Sequence, residues 1–181
     1  MTASDPKADR PSVYHGCVFC RSGQEAEVIR QMGLLFPEVR AIAPVKTRLR
    51  RAGGTVKEER VTLLPGYVFF EAGEDLPMRR ITRADSVLRL LTYNDGDWRL
   101  HGYDDQFAGM LFKANGVIGL STAFFDEGDR IRIVDGFLKE HEGSIVRVNR
   151  RARTAQIRIS LQDKQISIWL GYELMERAER T

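Results

Sequence analysis

The sequence predicts a chain of two parts, an α+β domain followed by a small all-β barrel, and three observations carry that prediction. A short apolar run, Val13 to Cys20, leads straight into a Ser22-x-x-Glu25 pattern of the kind that opens a helix. Phe107, Met110, Leu111 and Ala114 fall at helical spacing within Asp104 to Ala114, with acids at the start and Lys113 near the end. Beyond residue 126 the spacing changes to alternation. Ile131 and Ile133 alternate with Arg130 and Arg132, Ile157, Ile159 and Leu161 with Gln156, Arg158 and Ser160, and Ile166 and Ile168 flank Ser167. Four or five short strands in about 50 residues suit a barrel, whose closure removes exposed strand edges.

Taken in order, Val13 to Phe19 reads as a strand, and the helix after Ser22 takes its apolar face from Ala26, Ile29 and Met32, with Gly33 as its stop. Arg40 to Leu49 and Thr55 to Leu63 form a long hairpin around Gly53-Gly54, with basic residues gathered towards its tip. Tyr67 to Glu71 is a compact buried strand, Asp75 to Arg83 a short helix with Pro77 in its first turn, and Val87 to Tyr93 another strand. Asn115-Gly116 ends the helix of 104–114. The expected boundaries are a disordered tail at 1–12, a first domain at 13–114, a linker at 115–125, the barrel at 126–176 and a tail at 177–181.

The 181 residues suffice for one domain of about 100 residues and a smaller second one. With 43% hydrophobic and 29% charged residues the composition is globular, and no apolar run reaches the roughly 18 residues of a membrane span. Met1 to Pro11 lacks the apolar stretch of a signal peptide, so a cytoplasmic location is expected. Cys17 and Cys20 have the C-x-x-C spacing of redox and zinc sites, but residues three apart on a strand point to opposite faces, so structural, reduced thiols are expected and no metal site. His15, His101 and His141 lie far apart in sequence. No phosphate-binding glycine loop, dinucleotide fingerprint or H-E-x-x-H pattern occurs, and the acid pairs Glu58-Glu59 and Asp104-Asp105 are consecutive, so their side chains diverge. No catalytic residue, cofactor or enzyme activity is assigned. Trp98 and Trp169 read as packing residues, although Trp169 follows Ile168 out of register and is a candidate for exposure.

A net charge of +3 does not by itself mark a nucleic-acid binder, but its distribution is uneven. Between Gly143 and Lys164 six basic residues, Arg147, Arg150, Arg151, Arg153, Arg158 and Lys164, face one acid, Asp163. A second stretch from Lys46 to Arg60 carries Lys46, Arg48, Arg50, Arg51, Lys57 and Arg60 against Glu58 and Glu59. Each is a candidate phosphate-binding surface, and the alternative for each is a solvated charged face.

The run Leu63-Leu64-Pro65-Gly66-Tyr67-Val68-Phe69-Phe70 resembles the Phe-Pro-Gly-Tyr-Val signature of the N-terminal domain of NusG transcription factors, and Gly128-Asp129-x-Ile131-x-Ile133, Asp135-Gly136 and Glu142-Gly143-x-Ile145 resemble a KOW module. The order of the two motifs matches that family, and the resemblance spans residues 13–175. Within the family, Asn149-Arg150-Arg151, Gly119-Leu120-Ser121 and the short stretch after Tyr93 look most like LoaP, a specialised paralog that promotes processive antitermination in long biosynthetic operons. Phe137 and Leu64 depart from the usual pattern, which often has proline and phenylalanine there.

The resemblance implies an antiparallel sheet with helices in the first domain and an SH3-like KOW barrel in the second. It implies a monomeric elongation factor in which Leu64, Pro65, Gly66 and Tyr67 contact the clamp helices of the largest subunit of bacterial RNA polymerase. The arginine cluster with Lys164 is then expected to bind a nascent RNA hairpin, and Lys46, Arg48, Arg50 and Arg51 to approach nontemplate DNA. Two other readings stay open: a general housekeeping member of the family, and a KOW-type ribosomal or RNA-assembly protein that does not act on polymerase.

Overall fold

A computed structural model describes residues 13–73, 77–83 and 85–175 as a mixture of helices and sheets. The expected tails at 1–12 and 177–181 lie outside the described residues. Strands β1 (Tyr14–Cys20), β2 (Arg40–Ile42), β5 (Tyr67–Ala72) and β6 (Val87–Leu90) form an antiparallel sheet in the order β2-β5-β1-β6. Alternation along β1 divides the core. Cys17 packs with Phe69, Leu91, Phe107 and Leu111 on one face, while Val18 and Cys20 pack with Val28, Met32, Phe36, Val68 and Phe70 on the other. The two thiols are buried and lie in different clusters, on opposite faces of the strand.

The helix after β1, α1 (Glu25–Leu35), differs from its expected pattern. Gln24 precedes it without a side-chain cap, and the Glu25 carboxylate accepts a hydrogen bond from the Gly66 N–H at 2.7 Å, so Ser22 and Glu25 do not form a capping box. Val28 and Met32 are its buried residues, Ala26 is exposed, and the helix continues past Gly33. Of the short helix expected at 75–83, α2 occupies Met78–Ile81 with Pro77 just before it. Helix α3 spans Gly102–Lys113 and closes with the Gly116 N–H donating to the Leu111 carbonyl across an Asn115 at φ 52°, a left-handed C-terminal cap.

The expected long hairpin is divided at Pro44. Arg40–Ile42 leaves as the edge strand β2, and the hairpin proper is β3 (Val45–Ala52) with β4 (Thr55–Thr62), paired from Val45↔Thr62 to Ala52↔Thr55. Proline supplies no N–H to continue a ladder, while its carbonyl remains usable and accepts from the Leu63 N–H at 2.8 Å. Gly53 and Gly54, at φ 58° and 80°, supply the two positive angles that a two-residue hairpin turn requires.

Residues 115–125, expected as a linker, carry two strands. β7 (Val117–Ile118) pairs in parallel with β3, and β8 (Ser121–Phe125) belongs to the last sheet. That sheet adds β9 (Ile131–Asp135), β10 (Ile145–Asn149), β11 (Thr154–Leu161) and β12 (Lys164–Leu174) in the order β10-β11-β12-β8-β9. Among the described residues β9 and β10 do not pair, so the sheet is a curled half-barrel rather than a closed ring, with a 3-10 helix (Phe137–Ser144) between those strands. Ala155, Ile157, Ile159 and Leu161 of β11 point inwards with Ile168 and Leu170 of β12, as their alternation requires.

The two halves share a core. One buried cluster runs from Cys17, Phe69 and Phe107 to Ile133, Ile159 and Tyr172. At the seam Phe107 meets Phe137 edge to face, Tyr103 Oη and His141 Nδ1 are 3.2 Å apart, and Asp104 Oδ2 accepts from the Gln162 N–H at 2.9 Å. The second meeting point is β12 against β3. There a Cβ on Gly171 would stand 2.8 Å from the Thr47 carbonyl oxygen and 2.5 Å from Leu120 Cδ2.

Candidate functional site

The Pro65-Gly66 turn is held from two sides. Gly66 has φ 84°, a conformation that side-chain-bearing residues rarely adopt, and a Cβ there would meet the Cys20 carbonyl oxygen at 2.8 Å. The Gly66 carbonyl accepts from the Cys20 N–H at 2.7 Å, and its own N–H donates to Glu25. The turn is therefore pinned to the start of α1, and it fixes where Tyr67 enters the sheet. Leu64, expected on the outside beside Tyr67, is buried at 3% exposure in the shared core, as is Leu63. The cross-strand partner of Tyr67 is Phe19, opposite it in register at the edge of the shared core, with ring centroids 5.1 Å apart and the Arg89 guanidinium 5.8 Å over the Phe19 ring. Both aromatic rings are half-buried, so the turn presents two aromatic faces flanked by a cation and by exposed Pro65. Sequence reading missed Phe19 because its only signal is the pairing with Tyr67.

The basic residues of the second half do not form one surface. Arg147 lies in a cross-strand row with Gln156 and Trp169, and Arg158, two residues along β11, shares their outward face. Arg150 turns the other way: its guanidinium is 4.0 Å from the Phe125 ring centroid and 3.1 Å from an Asp129 carboxylate oxygen, and it donates to the Asp129 carbonyl. Lys164 opens β12 opposite Leu161, at the far end of the β11-β12 hairpin, roughly 23 Å along the strand from the arginine turn. Arg151 and Arg153 stand on the turn itself, which is stiffened by the Asn149 side chain accepting from the Ala152 N–H and by the Arg153 carbonyl accepting from the Tyr172 N–H.

What the turn faces is the other basic segment. Lys46, Arg48, Leu49, Arg50, Arg51 and Val56 of the β3-β4 hairpin line a cleft of about 750 Å³, together with Asn149, Arg151, Ala152, Arg153, Thr154 and Trp169. Glu59 pairs with Arg48 at 2.9 Å and Arg50 at 3.6 Å, whereas Arg51, Arg151 and Arg153 have no carboxylate within ion-pair distance among the described residues. Burial, and then the neighbouring Arg48 charge, lower the Lys46 pKa. Among the described residues no carboxylate lines the cleft, so its electrostatics favour an anion. Sequence reading located both basic segments but not their meeting, which depends on β12 crossing β3 at Gly171.

Among the described residues no group of His, Cys, Asp and Glu is placed to hold a metal ion, and no helix is long and apolar enough to cross a membrane. A scan against protein-family models matches none, and no curated protein matches the chain. Among solved structures the chain is similar to NusG of Thermotoga maritima, from a study of domain interaction in that protein, at 13% identity, with 88% of this chain and 94% of that chain covered and a TM-score of 0.44.

Proposed function

We propose that this chain is a cytoplasmic, NusG-like transcription elongation factor that binds bacterial RNA polymerase and performs no chemical step. The observation that carries the reading is the Leu63 to Phe70 run, folded as a pinned Pro-Gly turn entering a central strand, with Tyr67 and Phe19 as an aromatic pair at its surface. An aromatic pair beside a cation suits docking on a protein helix, because the rings bury large area at low entropic cost while Arg89 supplies polar fit. The partner is the clamp-helix region of the largest polymerase subunit. A factor that binds one state of polymerase more tightly than another shifts the population towards it, and preference for the closed, pause-resistant state gives processivity.

The finer reading is antitermination. Arg147, Arg151, Arg153 and Arg158 then engage a hairpin in the nascent leader transcript, with guanidinium groups on phosphates and unpaired loop bases. Arg150 and Lys164, directed elsewhere, contribute less. A second reading, an RNA-assembly protein that does not act on polymerase, is favoured by the cationic cleft, which needs no polymerase to bind RNA. Affinity purification with the tagged full chain separates the two. Recovery of polymerase, followed on deletion by loss of distal transcripts in long operons, supports the elongation factor, while recovery of ribosomal particles without polymerase supports the alternative.

A further inference from the structure

We infer that the cleft between the β3-β4 hairpin and the arginine turn is a binding site for a single-stranded nucleic-acid segment, built jointly by the two halves of the chain and organised around Trp169. The inference shares Arg151 and Arg153 with the proposed RNA contact but does not rest on polymerase binding. It differs from that contact in requiring Trp169 and the first-half residues Lys46 and Arg51.

Three features of the cleft converge on this ligand. Its cations come from segments about 100 residues apart, and among the described residues Arg51, Arg151 and Arg153 have no carboxylate within ion-pair distance, so their charges are available to phosphates. Trp169 is the only aromatic side chain among the lining residues; it is half-buried, and it stands in the outward row with Gln156 and Arg147 rather than in the core with its neighbours Ile168 and Leu170. An indole on a strand, in a cleft that guanidinium groups also line, offers a stacking platform with phosphate contacts nearby, which is how single strands are held without reading their sequence. Finally, about 750 Å³ lies in the range of pockets that enclose a small organic ligand, enough for unpaired nucleotides. From Trp169 the strand can continue over Arg147 and Arg158 on the same face.

Because the two walls belong to different halves, the site exists only while β12 rests on β3. Ligand binding therefore holds the halves together.

The test is a fluorescence titration of the full chain carrying Trp98→Phe, which leaves Trp169 as the reporting indole. The probes are an unstructured oligouridine of about 12 nucleotides, the matching oligothymidine, an abasic strand of equal charge and a blunt RNA duplex. Both single strands with bases are expected to quench Trp169 and to bind at least about tenfold more tightly than the abasic strand, with the duplex weaker. The ratio of the RNA and DNA affinities identifies the natural source. Trp169→Ala, read by anisotropy of a labelled strand, is expected to remove the preference over the abasic strand. Arg51→Ala and Arg151→Ala are each expected to weaken binding and to lower the salt slope by about 0.7. If Arg151→Ala weakens binding while Arg51→Ala and Trp169→Ala leave it unchanged, the joint site is overturned and the arginine-turn reading stands. If neither single strand binds the folded parent, the joint site is overturned.

Discussion

Gly171 meets Thr47 so closely that any side chain at position 171 collides with the Thr47 carbonyl, and this contact joins the half-barrel to the basic hairpin. Thr47 is itself buried, and Leu120 closes the third side. Gly171→Ala is expected to lower stability by about 1–3 kcal/mol, the range for overpacking a filled site. Because the cleft is formed by the same approach, the variant should also lose affinity for single strands while the Tyr67 surface, on another part of the molecule, is unaffected. Chemical denaturation with a single-strand titration checks both.

Gly66→Ala tests the pinned turn. It combines an unfavourable positive φ with a close approach to the Cys20 carbonyl, so a loss of at least about 1–3 kcal/mol is expected. Glu25→Gln, which leaves an oxygen able to accept from the Gly66 N–H, should retain most of the stability that Glu25→Ala loses. Equal losses in the two Glu25 variants would show that the bond does not hold the turn.

The seam carries a pH-dependent element. Burial lowers the pKa of His141 below the ordinary 6.5, against a smaller opposing effect of Glu140, while Tyr103 Oη faces its Nδ1 and Phe107 and Phe137 flank the ring. The folded state thus prefers the neutral ring. Its contribution is complete above pH 6.5 and is lost as the pH falls through the lowered value, because the unfolded chain takes up the proton more readily. Stability of the parent should fall as the pH is lowered below about 6.5, and His141→Phe should flatten that part of the profile. An unchanged slope in His141→Phe would assign it to other groups.

Cys17 and Cys20 occupy opposite faces of β1, and burial is the largest cause raising both thiol pKa values. Thiol reagents should therefore modify the native protein only at its rate of opening, and both thiols should react at once in denaturant. The purified protein should contain no stoichiometric zinc. Cys17→Ser is expected to cost about 1–3 kcal/mol by placing a hydroxyl among apolar side chains.

Local pattern made much of the fold legible. The alternation of Ile157, Ile159 and Leu161 corresponds to the inward face of β11, Gly53-Gly54 to the hairpin turn, and Phe107 and Leu111 to the buried side of α3. The differences arise where a distant partner decides. Glu25 reads locally as half of a capping box, yet its carboxylate serves Gly66, 41 residues away. The stretch 115–125 has no period of its own because its strands are completed by β3, β9 and β12. Leu64 follows the same rule: the motif locates the turn, but which of its residues faces out depends on the core beneath it. At the nucleic-acid site both basic segments were legible as charge, whereas their facing each other across Trp169 depends on a long-range strand contact.

Whether the Tyr67 and Phe19 surface binds RNA polymerase is measured by titrating bacterial core polymerase with the full chain and with Tyr67→Ala. Leu64→Glu does not serve, because a carboxylate at that buried position is expected to unfold the first half. Tyr67→Ala should keep its circular dichroism spectrum and its single-strand affinity while losing polymerase affinity by about thirtyfold, the effect of removing a central aromatic anchor. A folded Tyr67→Ala protein that binds polymerase as tightly as the parent, or a parent that does not bind polymerase at all, would show that this surface is not a polymerase contact.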